Sequence, residues 1–231
     1  MQYNGIIQHI NETEVRRYAG LKNGIEFPES IIQAACRDSR ILADPKGAWE
    51  IYSYNTATQE LLIPSRYQLR GKDIGKHLAD CEKIAIMAVT IGQEIEQAIN
   101  THFKKNEYSA GLLLDAAATT AVEIIADNLE EVIVKEAAHK GLMTTSRYSP
   151  GYGDWEIQAQ PEILELSGGR EIGIDVTPSY ILTPRKSVTA VIGLQRKNAD
   201  KRSSESCKRG CAHCQNQNCT FRKEPQHDQN I

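Results

Sequence analysis

An arginine, a Pro-Gly pair and two tyrosines lie within six residues, 147–152. The guanidinium of Arg147 is a rigid fork of donors that suits a carboxylate or a phosphate, and tyrosine rings offer faces to a base or a cation. Pro-Gly opens the backbone so that amides and carbonyls can face a ligand. The stretch is a candidate site for a small anionic, planar ligand. Taken alone, it indicates a surface turn more than a site, because Pro-Gly most often marks one.

Glu123 is a second candidate, on a helix predicted over about residues 108–140 and ended by Gly141. On one face, small and hydroxyl side chains lie a turn either side of Glu123 and leave room for a ligand to approach its carboxylate. A lone glutamate on a helix is also commonly just solvated. Another face is predicted to be one buried stripe at spacings of three and four: Leu114, Ala118, Ala121, Ile125, Leu129 and Val132.

Four cysteines near the C-terminus are spaced C-x3-C-x2-C-x4-C: Cys207, Cys211, Cys214 and Cys219. The segment around them has almost no large apolar residues, so a bound metal would be its main source of folding energy. Four thiolates suit zinc and a [4Fe–4S] cluster equally, and a disordered segment that binds nothing is the alternative. The sequence therefore predicts a folded domain over residues 1–195 and a Cys-rich metal-binding or disordered tail over residues 196–231.

Composition limits the classes of function. The chain has 231 residues, of which 25% are charged and 40% hydrophobic, and a formal net charge of −3. This balance gives no reason to expect a nucleic acid partner. We find no signal peptide and no apolar run near the ~20 residues that span a bilayer, so no membrane association is expected. A cytoplasmic location follows, where cysteines are more often metal ligands or free thiols than disulfides.

The elements that must position these residues are mixed helices and strands. Asn11 and Glu14 form a predicted capping box that begins a helix to Tyr18, and Asp73 is predicted to cap a short helix to Leu78. The other predicted helices cover about residues 28–43, 92–102 and 158–166. The predicted strands are a hairpin of residues 49–54 and 61–63, a central strand over residues 83–90, and two later strands over residues 172–176 and 188–194.

The Arg-x-Ser-Pro-Gly-Tyr of residues 147–152 resembles the Arg-x-Ala-Pro-Gly-Tyr of the activation (reactivation) domain of cobalamin-dependent methionine synthase, which binds S-adenosyl-L-methionine (AdoMet). The similarity covers about residues 110–194, is loose over the first hundred and is absent from the tail. It implies an α+β fold with a bent, mainly antiparallel sheet flanked by helices and one long central helix. The other matching segments are Ile-Gly-Ile at 172–174, Thr-Pro-Ser-Tyr at 177–180, Pro184 and Ser-Val-Thr at 187–189.

The same resemblance implies a ligand site with no catalytic side chain. Arg147 would pair with the methionine carboxylate of AdoMet, and Glu123 would bind a ribose hydroxyl or the positive end of the ligand. Ser149, Gly151 and Tyr152 would offer backbone contacts to the nucleoside.

Two family contacts have no match: an N-terminal aspartate, and an aromatic residue where this chain has Val191 and Ile192. Tyr148 or Tyr180 is left to meet the sulfonium. Geometry adds a condition, because the helix from Glu123 to Lys140 would be ~26 Å long. Arg147 can come back beside Glu123 only if the chain returns nearly extended or if the helix ends earlier.

The chain lacks the D-x-H-x-x-G signature of the family's cobalamin domain, and it is too short to hold the homocysteine and folate modules. The resemblance therefore implies a free-standing accessory protein that reactivates, in trans, a corrinoid protein or a methionine synthase without its own activation domain. It would hold AdoMet above the partner's cobalamin, so that one-electron reduction is trapped by methyl transfer. A tail cluster, or a donor such as flavodoxin or ferredoxin, would supply the electron.

Two other functions stay open. The first is a non-catalytic docking subunit or chaperone for a corrinoid protein, with a metal-stapled tail. The second is an AdoMet-dependent methyltransferase with its own substrate, although no Gly-rich loop follows a first strand as in the usual Rossmann version.

Overall fold

The computed structural model describes residues 1–21 and 27–196, and within them the chain is a mixture of helices and antiparallel strands, as predicted. The described helices are α1 (Glu12–Tyr18), α2 (Glu29–Leu42), α3 (Lys72–His77), α4 (Glu94–Lys104), α5 (Tyr108–His139) and α6 (Gln160–Ser167), with 3-10 turns at Ile157–Ala159 and Gly169–Ile172. The described strands are β1 (Gln2–Asn4), β2 (Lys46–Asn55), β3 (Glu60–Leu61), β4 (Tyr67–Gln68), β5 (Lys83–Thr90), β6 (Leu142–Thr144), β7 (Asp175–Val176), β8 (Leu182–Thr183) and β9 (Ser187–Arg196).

The main sheet is built on β5, which is hydrogen-bonded along its whole length to β2 on one side and to β9 on the other. All of its pairings are antiparallel, and the strands run in the order β4-β3-β2-β5-β9-β6, with β1 added to β2. Every β5 residue after Lys83 is buried. A strand buried on both faces needs an apolar run rather than an alternating pattern, which is why its sequence predicted it correctly.

The long helix α5 lies across this sheet and also packs against α1, α2 and α4. Its bounds, Tyr108–His139, confirm the predicted helix to within a residue. The prediction of a single buried stripe was incomplete, because Ala116, Thr120 and Ala126, assigned to the open face, are buried as well. Small residues on that face let neighbouring elements approach closely.

The same helix is long and apolar enough to cross a membrane by length and composition, and among the described residues it is the one such helix. The expectation that no window approaches this limit was therefore wrong. Of its most apolar window, 61% is buried inside the protein. Packing in the core explains the apolar sequence.

Two predicted helix starts differ in detail. Asn11 caps α1, but its side chain accepts from the amide of Thr13 at 2.8 Å rather than from that of Glu14. Asp73 does not cap α3. The carboxylate that caps α3 belongs to Asp154, which is distant in the sequence. Local sequence patterns could therefore not identify it.

The strand predicted over residues 172–176 is mostly wrong. A 3-10 turn ends at Ile172, and Gly173 follows with a φ of 87°, so only Asp175–Val176 is extended. The strand predicted over residues 188–194 is confirmed and is longer, as β9. The tail cysteines Cys207, Cys211, Cys214 and Cys219 lie outside the described residues.

Candidate functional site

Arg147 reaches the side of α5 by an extended return of the chain. After α5, Gly141 adopts a φ of 71° and reverses the direction, and β6 then pairs with the end of β9. Beyond β6, Thr145 continues the pairing through its amide, which donates to the carbonyl of Gly193 at 2.9 Å. This is the nearly extended return that the length of the helix requires. It delivers Arg147 alongside Glu123.

The guanidinium of Arg147 meets three carboxylates of α5. Nη2 lies 2.6 Å from Oδ1 of Asp127 and 3.5 Å from Oε2 of Glu123, and Nε lies 3.1 Å from Oε2 of Glu130. The three acids follow one another at spacings of four and three, so they share one face of the helix. We call Arg147 with these three acids the Arg147 cluster.

The Arg147 cluster is graded from buried to exposed. The side chain of Glu130 is 10% exposed, and that of Asp127 is 63% exposed. Nη1 of Arg147 is buried and has no hydrogen-bond partner in the described part of the chain. A buried donor without a partner is costly, and a site that keeps one is a place to look for a missing acceptor. Among the described residues, three carboxylates surround one guanidinium, and a cationic ligand could join these acids.

Two tyrosines lie within the field of Glu123. The pKa of Tyr18, on α1, is raised by burial and further by the negative charge of Glu123, against a hydrogen bond from Arg17 that lowers it. The guanidinium of Arg17 lies 4.0 Å above the Tyr18 ring. The pKa of Tyr152 is raised by the atoms packed on it and then by Glu123, and Arg147 opposes this shift. The side chain of Tyr152 is nevertheless 59% exposed. It offers an accessible aromatic face beside the cluster.

The Pro-Gly turn uses two of its amides internally. Gly151 donates to the carbonyl of Trp155 at 2.8 Å, and Tyr152 donates to that of Ser149 at 3.1 Å. The φ of Gly151 is 90°, and a Cβ there would touch only Ile157, at 3.4 Å. A ligand could approach the backbone at Gly151, but the amides of Gly151 and Tyr152 are already used, which narrows the backbone contacts expected of this turn.

Val191 and Ile192 stand where the resembled family has an aromatic residue, and both are fully buried in β9. Val191 exchanges two backbone hydrogen bonds with Tyr148, each of 2.9 Å. The ring of Tyr148 packs on Trp155, with 6.2 Å between centroids, rather than standing free. Tyr180 lies apart in the turn between β7 and β8, with a φ of 64°.

Sequence reasoning named Glu123 and Arg147 but missed Glu130 and the role of Asp127. The signal was present, because acids at positions 123, 127 and 130 have helical spacing. Tyr18 carried no such signal, since α1 is brought to α5 only by the fold. In residues 1–21 and 27–196, no group of three or more His, Cys, Asp and Glu side chains is placed to hold a metal.

No protein-family model matches this sequence, and no curated protein does. A solved structure described as the MetH reactivation domain bound to AdoHcy (S-adenosylhomocysteine) is similar to this chain. The alignment covers 86% of this chain and 79% of that one, with a TM-score of 0.58 and 14% sequence identity. At that identity the similarity shows the fold alone. The chain has the α+β fold of the reactivation domain, with its antiparallel sheet and one long helix.

Proposed function

We propose that this chain binds AdoMet at the Arg147 cluster. The observation that carries the proposal is the convergence of Arg147, three α5 carboxylates and the exposed Tyr152 in a fold whose solved neighbour holds AdoHcy. AdoMet differs from AdoHcy by a methylated, positively charged sulfur, and its amino group is a second cation. The acids of the Arg147 cluster would attract those two cations.

The donors of the cluster fit this ligand in part. Arg147 Nη1 is the guanidinium nitrogen without a described partner, because Nε and Nη2 face Glu130, Asp127 and Glu123. Since Nη1 is buried, the side chain would have to turn to offer it to the ligand's carboxylate. Glu123 and Asp127 are the more exposed acids and would take the amino group or the sulfonium. Tyr152 would face the adenine, and the open backbone at Gly151, next to Ser149, would meet the nucleoside.

We further propose a role as a free-standing reactivation protein for an oxidised cobalamin protein in trans, such as a methionine synthase that lacks its own activation domain. AdoMet would supply the methyl group, and the partner would carry the cobalamin. The residues of this chain would hold and orient AdoMet and keep its charge compensated until transfer.

Equilibrium dialysis of the full chain with AdoMet tests the binding step. Saturable one-to-one binding that Arg147→Met removes supports it. Absence of saturable binding, or binding that survives Arg147→Met unchanged, contradicts it. Circular dichroism of the variant shows whether a loss of binding is only a loss of fold.

Reactivation of an oxidised corrinoid protein tests the second step. The partner is a cobalamin-dependent methionine synthase from which the activation domain has been removed, supplied with a chemical reductant so that no particular electron donor is assumed. Recovery of activity that needs both AdoMet and this chain supports the role. Recovery that is the same without the chain rejects it.

A docking subunit is the second candidate, and one observation favours it. Arg147 is already paired with three carboxylates, so it could serve only to pin the chain after β6 to α5. In that case Arg147→Met lowers stability, while wild type binds no AdoMet. The dialysis experiment therefore separates the two functions.

A further inference from the structure

The short helix α3 contacts the chain on both sides of Arg147. At its N-terminal end, the amides of Lys72 and Asp73 donate to the carboxylate of Asp154 at 2.7 and 3.0 Å. Asp154 follows the Pro-Gly turn by only a few residues. These hydrogen bonds lower the pKa of Asp154, so it is a charged cap at ordinary pH. The loop after the turn is thus attached to α3.

The other end of α3 reaches the residue before Arg147. The Nε2–H of His77 donates to the carbonyl oxygen of Ser146 at 2.8 Å. The imidazole also packs against the ring of Tyr148, with 5.0 Å between centroids. His77 therefore contacts both chain neighbours of Arg147 without touching Arg147 itself.

Tyr148 is fixed from three further directions. Its backbone exchanges two hydrogen bonds with Val191, its ring packs on Trp155, and its hydroxyl donates to the carbonyl of Tyr152 at 3.2 Å. Arg147 thus stands between one neighbour held by β9 and another, Ser146, held by His77. The position of the Arg147 guanidinium matters because its N–H donors point in fixed directions. A small displacement would therefore weaken its contacts with a ligand.

We propose that α3 is a brace that sets the position of Arg147, with His77 as a positioning residue at one end and Asp154 as the cap that holds the other. The proposal rests on the proposed function in one respect, since ligand affinity is one of its two readouts. The second readout, the state of the Arg147 side chain, needs no ligand.

Two matched pairs of variants test the brace in the full chain. His77→Gln places an amide donor near the position of Nε2, whereas His77→Phe keeps an aromatic ring against Tyr148 and removes the donor. Asp154→Asn keeps a cap acceptor, and Asp154→Ala removes it. We expect His77→Phe and Asp154→Ala to weaken AdoMet binding about five- to tenfold, as the loss of one aligned hydrogen bond would. His77→Gln should stay within about twofold of wild type. Asp154→Asn keeps one of the two accepting oxygens, so its loss of affinity should be smaller than that of Asp154→Ala.

The second readout is the Nε–H resonance of Arg147 in a ¹⁵N-edited NMR spectrum, assigned by its loss in Arg147→Lys. In wild type this proton is held by Glu130. In His77→Phe the signal should shift or broaden toward that of a free arginine, and in His77→Gln it should not. An unchanged signal and unchanged affinity in His77→Phe overturn the brace. If wild type binds no AdoMet, the proposed function fails, and the NMR signal alone decides the brace.

Discussion

Lys186 and Arg147 both form ion pairs with α5, but in different ways. Lys186, before β9, is 13% exposed, and its ammonium lies 2.9 Å from Oδ1 of Asp115 and 2.8 Å from Oγ1 of Thr119. Arg147, after β6, meets three acids that lie about 12 to 22 Å beyond Asp115 along α5, and it keeps a buried Nη1 with no partner in the described residues. Lys186 meets one acid, and Arg147 meets three.

The difference separates an anchor from a site. A buried ion pair with matched charges and filled hydrogen bonds needs no further partner, and its role ends with the fold. A buried donor without an acceptor in the described residues, as at Arg147, holds unfavourable energy that a ligand acceptor could relieve. The variants of Lys186 and Arg147 can therefore be compared for their effects on stability and on AdoMet affinity.

The largest effect is expected for Arg147→Met. It removes AdoMet binding and also takes one cation away from the buried Glu130, which should cost roughly 3 kcal/mol of unfolding free energy. Urea unfolding measures the stability, and dialysis measures the binding. A stable variant with wild-type AdoMet affinity would contradict both assignments of Arg147.

Lys186→Met is expected to act on stability alone. Asp115 is 40% exposed and can be hydrated when its partner is lost, so the cost should be about 1 kcal/mol. AdoMet affinity should be unchanged. A loss of affinity comparable to that of Arg147→Met would abolish the contrast between anchor and site.

Glu123→Gln tests whether the negative charge of Glu123 contributes to AdoMet binding. Since it removes a negative charge that is 42% exposed, AdoMet should bind roughly fivefold more weakly. AdoHcy, whose sulfur is uncharged, should lose less affinity. Glu131→Gln, an exposed acid of α5 paired with Lys135, is the matched control and should change neither affinity. Equal losses for both ligands would show that Glu123 does not sense the sulfonium.

The smallest effect concerns pH. Burial lowers the pKa of His77 below its ordinary value of 6.5, against a hydrogen bond to Ser146 that raises it. A lowered folded-state pKa means that the stability from neutral His77 is fully present above pH 6.5 and is lost as pH falls through the folded-state pKa. His77→Gln should therefore lose less stability than wild type between pH 7 and pH 5, measured by urea unfolding. Parallel pH curves would show that His77 is not buried as described.

Elements with strong local signals were predictable from the sequence. β5 is a continuous apolar run, and α5 combines helical spacing with a terminal glycine, so both were predicted nearly to the residue. The Arg147–Glu123 approach was predictable from chain geometry together with the resemblance. The role of Lys186 as a buried anchor was not, because no pattern near Lys186 in the sequence points to Asp115 or Thr119.

What could not be predicted depends on contacts between distant segments. The cap of α3 comes from Asp154, and Tyr18 comes to Glu123 from a helix more than a hundred residues earlier. No pattern within either segment encodes such a meeting. Short strands such as β6 were also missed, because three residues are too few for a period to be recognised.

The extended return from α5 to Arg147 has a consequence for chain length. Successive residues of a strand point to opposite sides, so removing one residue between Gly141 and Arg147 would turn the guanidinium away from α5. Adding two residues to the wild-type segment would keep the guanidinium on the α5 side. It would also move the guanidinium about 7 Å past its acids, which is more than one turn of the helix. Variation in length here is therefore expected to be far less tolerated than variation in residue type.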